Sequence, residues 1–541
     1  MTRRSIYNDD SQGVYEARPE SAEADLRAWV DRPLTQIPVD TYAWCIAFPD
    51  IVYHDSRVGE VHGRRFAQPP DRGAEIVAAL GRGGTDIMHV VADQAHRHGV
   101  EVVASMRMND THHRQPDPRQ PGVPQLLLDH PEYAIRRRDG VAETALDYSH
   151  EAVRAHRLAI LKELAENYDI DGVELDFTRW GKFFARDEAP FKTAVMTEFV
   201  GQVRAVLDQA ARRRGRAPLA LGVQVLASPY LCLLAGLDPR AWLEPDWLDY
   251  LIQCDFNCTD PQIVVAAFAE LCRDRRCTHH VRMGNMMGGR WTARPHVENR
   301  RTAFKNNRGY GGMILTVEEA RGAAANAYGF GADGIGYWNL CCNMGGLHKP
   351  DAHAGVSREQ YQDDMIAWAR AVARPETVWA GPRTYHFVPI YKGEGLLARN
   401  YAVNAQRIGP MGELTQIVVF SPETEGMRQR FRFLMADGRD GRTLSGSMRF
   451  PILNSTLEDG FDFDVNGAPI DGADVRRSAG GDEELPLVWH EIDLARCPPF
   501  CGDNELGLTP RTLPASPHRD GGARCYEPHP YLEQLIVSVD A

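Results

Sequence analysis

The stretch YDIDGVELDFTRW, residues 168–180, decides the fold of this chain. Val173, Leu175 and Phe177 favour a β-strand and point to one side of it, whereas Glu174 and Asp176 share the other side. Two carboxyl groups roughly 7 Å apart along one face of a strand are unfavourable in an apolar core. We therefore expect this strand to carry its acids into a functional site.

Amphipathic helical patterns flank this strand, at residues 150–168 and from about 188 to 214. Helix, strand and helix form the repeating unit of an α/β barrel, in which chemistry takes place at the carboxyl ends of the strands. The same alternation continues in both directions. Strand patterns occur at residues 4–7, 39–48, 100–106, 168–180, 219–226, 247–255, 280–285 and 334–338.

Helical patterns separate most of these strands and predict a (β/α)8 TIM barrel over residues 1–375. The clearest start signal is a capping box at Thr316 and Glu319. A polar loop with His54 and His62 is expected before a helix at 85–98, and residues 111–149 form an unusually long loop. The other predicted helices span residues 21–30, 261–272 and 361–372.

The pattern changes from about residue 376. Helical periodicity ends, and alternating runs at residues 416–420, 431–434, 488–494 and 535–539 are divided by Gly, Asp and Pro turns. This pattern of short alternating runs divided by turns is typical of an antiparallel β-sandwich. We therefore predict a second, accessory domain over residues 376–541.

Composition limits the partners and the compartment. The 541 residues carry a net charge of −13, which disfavours nucleic acid and anionic membranes as partners. The start of the chain has two arginines but no apolar stretch behind them, so we expect a cytoplasmic protein without a secretory signal. The eleven cysteines are scattered and odd in number, which favours reduced thiols, and no structural metal or cofactor is predicted. Whether the chain forms a homo-oligomer is left open by the composition.

Polar residues at the predicted strand ends should converge at one mouth of the barrel. Amides and arginines suit hydroxyl groups, carboxylates suit acid and base work, and aromatic faces suit the apolar side of a ring, so this mixture favours a carbohydrate substrate. The candidate substrate-binding residues are Asn8, Asp9, Trp44, Arg107, Asn109, His112, His113, Arg179, Trp180, Gln224, Asn285, Trp338 and Asn339.

Glycoside hydrolysis needs two carboxyl groups on either side of the scissile bond. Asp176 is the first candidate, because it is nearest the carboxyl end of its strand; a structural ion pair with Arg179 is the alternative. Asp255 is the second candidate, although it could instead cap the following turn, and Asp110 is its main rival. Glu174 could bind substrate or position Asp176.

Two other function classes stay open. The run RMNDTHH at residues 107–113 allows a metal-dependent barrel lyase, isomerase or non-glycosidic hydrolase, although adjacent histidines do not easily ligate one ion. Its ligands would be Asp9, Asp110, His112, Glu174 and Asp176. The third reading is a carbohydrate-binding protein without catalytic activity.

The sequence DGVELDFTRW resembles the DG-x-x-x-D-F-x-R strand of glycoside-hydrolase-like barrels, loosely the family ten-like group, and RMND at 107–110 adds to the likeness. The resemblance implies a glycoside hydrolase with a C-terminal accessory domain. Two features depart from it: Thr178 stands where chitinase-type barrels have their catalytic Glu, and residues 280–285 lack the family ten nucleophile. A nucleophile at Asp176 with an acid near Asp255 is similar to retaining α-galactosidase-type barrels.

Overall fold

The fold is described from a computed structural model, which covers residues 5–46, 48, 50–110, 116–254, 258–287, 315–338, 340, 357–387, 418–481, 486–514, 529–532 and 534–541. Eight parallel strands close into a barrel, and each pairs with the next one along the chain. Pairing of the last strand with the first, Ile335 beside Ser5, completes the ring. The strands are β1 (Ser5–Asp9), β2 (Thr41–Cys45), β5 (Glu101–Arg107), β8 (Gly172–Asp176), β9 (Ala220–Leu226), β10 (Tyr250–Cys254), β12 (Thr278–Met283) and β14 (Gly334–Tyr337).

Helices connect the barrel strands, as the sequence predicts. Thr316 and Glu319 form the predicted capping box at the start of one helix, which is confirmed. Helix α3 begins at its cap Asp71 and lies where the sequence analysis expected a polar loop. The helices are α1 (Gly13–Glu16), α2 (Ala22–Leu34), α3 (Arg72–Arg82), α4 (Ile87–Arg97), α5 (Gln125–Asp129), α6 (Glu151–Asn167), α7 (Thr193–Arg214), α8 (Pro229–Leu234), α9 (Pro239–Leu243), α10 (Val265–Cys272), α11 (Val317–Gly329), α12 (Arg358–Val372) and α13 (Pro375–Trp379).

Short strand pairs decorate the loops at the carboxyl ends of the barrel strands. The expected long loop at residues 111–149 contains α5 and an antiparallel pair. These added strands are β3 (Ile51–Val52) with β4 (Glu60–Val61), β6 (Ala134–Arg136) with β7 (Ala142–Leu146), and β11 (Cys258–Thr259) with β13 (Met286–Met287).

The inside of the barrel changes character along its axis. A cluster of buried hydrophobic residues lies inside it, and its members are Ile6, Ala43, Val103, Tyr250 and Ile252. Gly222 leaves the space that the ring of Tyr250 occupies, because a Cβ at this position would lie 1.9 Å from a ring atom. Towards the carboxyl ends of the strands, the inward positions are polar.

Two antiparallel sheets follow the barrel. Their facing sides pack through aromatic rings, with Phe387 5.3 Å from Phe433 and Phe450 5.2 Å from Phe463 between ring centroids. One sheet has the order β15 (Arg383–Phe387), β24 (Leu535–Val539), β17 (Gly446–Leu453), β21 (Pro486–Asp493) and β20 (Val475–Gly481), with β23 (Tyr531–Leu532) beside β17. The other has the order β16 (Gln429–Leu434), β22 (Asp503–Thr512), β18 (Gly460–Val465) and β19 (Ala468–Ile470). The predicted fold class, a TIM barrel followed by a β-sandwich, is confirmed.

Helix α11 connects the two parts of the molecule. The side chain of Asn326 donates to the carbonyl oxygen of Leu434, at 2.8 Å, and accepts from the backbone N–H of Ala436, at 2.7 Å. The predicted domain boundary after residue 375 falls at the start of α13 and stays a prediction. None of the helices in the described ranges has the length and apolar character needed to cross a lipid bilayer.

We expect Gly222→Ala to destabilise the protein, because the added methyl group must displace the ring of Tyr250. Overpacking of this kind should lower the free energy of unfolding by about 2 kcal/mol. Gly81→Ala is the matched control, since a Cβ there meets nothing within 4 Å in helix α3, and it should stabilise the protein by about 0.5–1 kcal/mol. Urea unfolding of both variants measures the difference; equal stabilities would contradict this packing.

Candidate active site

Glu174 lies at the centre of the barrel and is fully buried. One carboxylate oxygen, Oε1, accepts from Asn8 Nδ2 at 3.0 Å, Ser105 Oγ at 2.8 Å and Gln224 Nε2 at 2.7 Å. The hydroxyl of Tyr250 donates to Oε2 at 3.1 Å. Burial raises the pKa of Glu174, and the hydrogen bonds from Gln224 and Ser105 oppose that rise. Neutral donors from four other strands therefore surround this acid.

Asp176 lies two residues further along β8, towards the mouth of the barrel, and is 4% exposed. Its Oδ1 accepts from the backbone N–H of Thr178 at 2.8 Å, the hydroxyl of Thr178 at 2.6 Å and the backbone N–H of Arg179 at 3.1 Å. Within the described ranges, no residue donates to Oδ2. One oxygen thus orients the carboxylate and the other remains available to a ligand.

Arg107 joins two further acids at the mouth. Its Nη2 lies 2.7 Å from Oδ1 of Asp10, and its Nη1 lies 2.7 Å from Oδ2 of Asp110. Arg179 Nη1 contacts the other oxygen of Asp10 at 3.3 Å. Arg179 contacts Asp176 through its backbone N–H, and not through the ion pair that was the alternative role for Asp176.

Asp10 was not among the predicted site residues, whereas its neighbour Asp9 was. Asp9 faces the helices: it accepts from Trp29 Nε1 of α2 at 2.9 Å and from the hydroxyl of Tyr42 at 2.7 Å. Trp44 is the register partner of Asp9 and lies near Tyr42 in the same layer. The structure does not bring Asp9 and Trp44 to the mouth, since strand alternation turns Asn8 inward and Asp9 outward. The same alternation could have identified Asp10.

Arg282 is a second residue that sequence reasoning missed. It lies on β12 with its guanidinium carbon 4.6 Å from the centre of the Trp338 ring, and Arg179 lies 5.2 Å from that ring. Trp338 is 1% exposed and follows the last barrel strand. An arginine between the apolar residues Val281 and Met283 of this buried strand is the signal that could have revealed it.

The two predicted asparagines form hydrogen bonds within the protein. Asn109 donates to the carbonyl oxygens of Leu146 and Lys182, at 2.9 and 2.5 Å, and so joins the loops that follow β5 and β8. Asn285 accepts from Trp368 Nε1 of α12 at 3.0 Å and donates to the hydroxyl of Tyr361 at 3.3 Å. Both side-chain amides thus form hydrogen bonds that hold parts of the protein together.

Of the remaining predicted site residues, one lies in the described ranges and the others lie outside them. Trp180 is partly buried at the mouth, directly after Arg179. The part of the chain that is described contains no group of three or more His, Cys, Asp or Glu positioned to hold one metal ion. Four candidates lie outside the described residues, and they are His112, His113, Asp255 and Asn339.

The mouth therefore combines carboxylates, guanidinium groups and an indole ring in a largely buried setting. Asp176 presents an available oxygen, while Arg107, Arg179 and Arg282 surround the acids with positive charge. Such preorganised charges can stabilise charge that develops on a substrate, and the carboxylates can act as nucleophile, acid or base. Heterolytic cleavage of a polar bond is one chemistry that such an arrangement can support.

Comparisons with known proteins give fold-level resemblances only. No protein-family model matches the chain, and no curated protein matches it either. Among solved structures, the PgaB (BpsB) glycoside hydrolase domain from Bordetella bronchiseptica is 16% identical over 65% of this chain and 98% of its own, with a TM-score of 0.38. An α-L-fucosidase from Paenibacillus thiaminolyticus is 12% identical over 72% and 52%, with a TM-score of 0.39. A maltogenic α-amylase from Thermotoga neapolitana is 12% identical over 100% and 99%, with a TM-score of 0.38.

We expect Asp9→Asn to change how stability depends on pH. Burial raises the pKa of Asp9 from 3.8 to about 6, so folding favours its protonated form. Its contribution to stability is complete below about pH 4 and is lost as the pH rises through about 6. Relative to the variant, which does not titrate, the wild type should lose up to about 3 kcal/mol of unfolding free energy between pH 4 and 7. Urea unfolding across this range tests it, and parallel curves would contradict it.

Proposed function

We propose that this chain is a glycoside hydrolase that cleaves O-glycosyl bonds at the carboxyl-terminal mouth of the barrel. The observation that carries the proposal is the carboxylate of Asp176, which is oriented through Oδ1 and accepts at Oδ2 from no residue in the described ranges. In the proposed reaction, Asp176 attacks or stabilises the anomeric carbon as the bond to the leaving oxygen breaks. Arg107, Arg179 and Glu174 bind hydroxyl groups or position Asp176.

The second carboxyl group must deliver a proton to the leaving oxygen. Asp10 and Asp110 both contact Arg107, and a guanidinium neighbour favours the ionised form of a carboxyl group. That environment suits charge stabilisation better than proton donation. Asp255, directly after β10, therefore stays the proposed proton donor, and Asp110 is the other candidate.

Exposed apolar side chains support a substrate that reaches beyond the mouth. In the described ranges, large apolar residues that are more than a third exposed concentrate on the segments after the carboxyl ends of barrel strands. Phe191 is 86% exposed on a 3-10 turn that packs against α8, which carries Tyr230 at 55% exposure. Aromatic faces at a wet rim suit the apolar faces of sugar rings. The residues on these segments are Tyr15, Val58, Val141, Phe191, Tyr230 and Leu233.

The state of the cysteines bears on the compartment in which the protein acts. Cys232, Cys277 and Cys497 are buried free thiols, which supports a reducing environment. We therefore place the activity in the cytoplasm, where the substrates would be short oligosaccharides or glycosides that have been imported.

Asp176→Asn should abolish turnover of a matched panel of aryl glycosides and oligosaccharides while the protein stays folded. Loss of the reacting carboxylate should lower kcat by on the order of 10³-fold or more. Asp171→Asn is the matched control, because Asp171 lies at the opposite end of the same strand and accepts from His96 Nε2 at 2.8 Å. Thermal unfolding of each variant confirms folding.

Two outcomes would overturn the proposed function. An Asp176→Asn variant that keeps most of the wild-type rate would remove Asp176 from the mechanism. Sugar binding by the wild type without any product release would favour a carbohydrate-binding protein without catalytic activity.

Phe191→Ala and Tyr230→Ala should each raise KM for oligosaccharides roughly fivefold, because a stacked ring contributes about 1 kcal/mol. The effect on an aryl monosaccharide should be smaller, since it does not reach the rim. Met427→Ala is the control, with a side chain 61% exposed in the sandwich, and should leave both values unchanged. Equal effects of all three changes would contradict a sugar-binding rim.

A further inference from the structure

Arg282 makes an unusual pair of contacts inside the barrel. A single guanidinium nitrogen, Nη1, donates to Gln224 Oε1 at 2.6 Å and to Thr178 Oγ1 at 3.0 Å. Arg282 is 4% exposed, and Thr178 and Gln224 are fully buried. A guanidinium in such surroundings needs its hydrogen bonds to be well made, since a buried charge without them destabilises the fold.

Gln224 and Thr178 each form a second hydrogen bond, to an acid. Gln224 Nε2 donates to Glu174 at 2.7 Å, and the hydroxyl of Thr178 donates to Asp176 at 2.6 Å. A guanidinium has only donors, so Gln224 must turn its oxygen to Arg282 and its NH₂ group to Glu174. The hydroxyl of Thr178 likewise accepts from Arg282 and must donate to Asp176. Arg282 thereby determines the direction of both donors.

We propose that Arg282 is a positioning residue that acts on Glu174 and Asp176 at once, through Gln224 and Thr178, so that the two acids behave as one coupled unit. Hydrogen-bonded chains that end at a cation polarise each neutral link and stabilise negative charge at the far end. Removing Arg282 would weaken that stabilisation at both acids together.

The connection between Arg282 and Asp176 through Thr178 leaves one oxygen of Asp176 for a ligand. A guanidinium that met Asp176 directly would tend to engage both of its oxygens in a bidentate pair. With Thr178 between them, the hydrogen-bonded connection reaches Oδ1 of Asp176, and no residue in the described part of the chain donates to Oδ2. The same cation stays stacked on Trp338, which restricts its movement.

Other ionisable groups face the two acids from the neighbouring elements. They are present in the wild type and in every variant below. Among the described residues, these groups include Arg107 and Asp110 from the end of β5, Asp10 after β1, Arg179 after β8, Tyr250 from β10 and His280 from β12.

The first test measures Tm for the wild type and Arg282→Met from about pH 4.5 to pH 8 and needs no substrate. Without the cation, the pKa of Glu174, which burial already raises, should rise further in the folded state only, so the variant should lose more stability as the pH increases. The difference in Tm should roughly double across this range. A difference that is the same at every pH would overturn the proposal. If Arg282→Met does not fold, Arg282→Gln serves, because it removes the charge and keeps a polar side chain that can form hydrogen bonds.

The second test, which rests on the proposed function, measures the contribution of the connection from Arg282 through Thr178 to Asp176. Thr178→Val should move the acidic limb of the kcat/KM profile to higher pH, and adding Arg282→Met should give less than the sum of the two shifts. Thr259→Val is the matched control, since this buried threonine donates to the carbonyl oxygen of Gly284 at 2.8 Å and to no acid. Equal shifts in both threonine variants, or strict additivity, would overturn the coupling. An active Asp176→Asn variant would instead refute the proposed function, and the Tm test would still decide the role of Arg282.

Discussion

The pleat of a parallel strand is the constraint on which the rest of this structure depends. In a closed barrel, every second side chain must point inside, so Glu174 and Asp176 are buried together at the centre of the molecule. A shift of β8 by one residue would not relieve this burial. It would turn Val173 and Leu175 inward and place both carboxylates among the surrounding helices. The other inward residues must therefore compensate for the two acids.

The groups that compensate for the buried acids differ between the interior of the barrel and its mouth. Around Glu174, neutral donors replace the lost water, whereas nearer the mouth Arg107 forms ion pairs with Asp10 and Asp110. Each group depends on the others, because a buried charge that loses its partner destabilises the fold by several kcal/mol. Arg282 connects the two depths through Gln224 and Thr178. The result is a charged site whose groups are already oriented by the fold, as the proposed reaction requires.

Much of the fold could be predicted because its signals are local. The capping box at Thr316 and the alternation in β8 each involve residues a few positions apart, and both predictions agree with the structure. Local signals also failed in places. Helix α3 was not recognised, although Asp71 caps it. The amides of Asn109 and Asn285 were predicted to meet substrate, yet their hydrogen bonds join loops and a helix whose approach the sequence does not reveal.

The sequence by itself determined that a strand with two acids on one face lies among alternating strands and helices, because hydrophobic periodicity is read along the chain. Only the tertiary structure decided which polar residues meet. The phase of β1 brings Asp10 rather than Asp9 to the mouth, and the ring of strands brings Arg282 to Thr178 across 104 positions of sequence. Closure of the barrel sets those neighbours, and closure depends on pairing between segments that are distant in the chain.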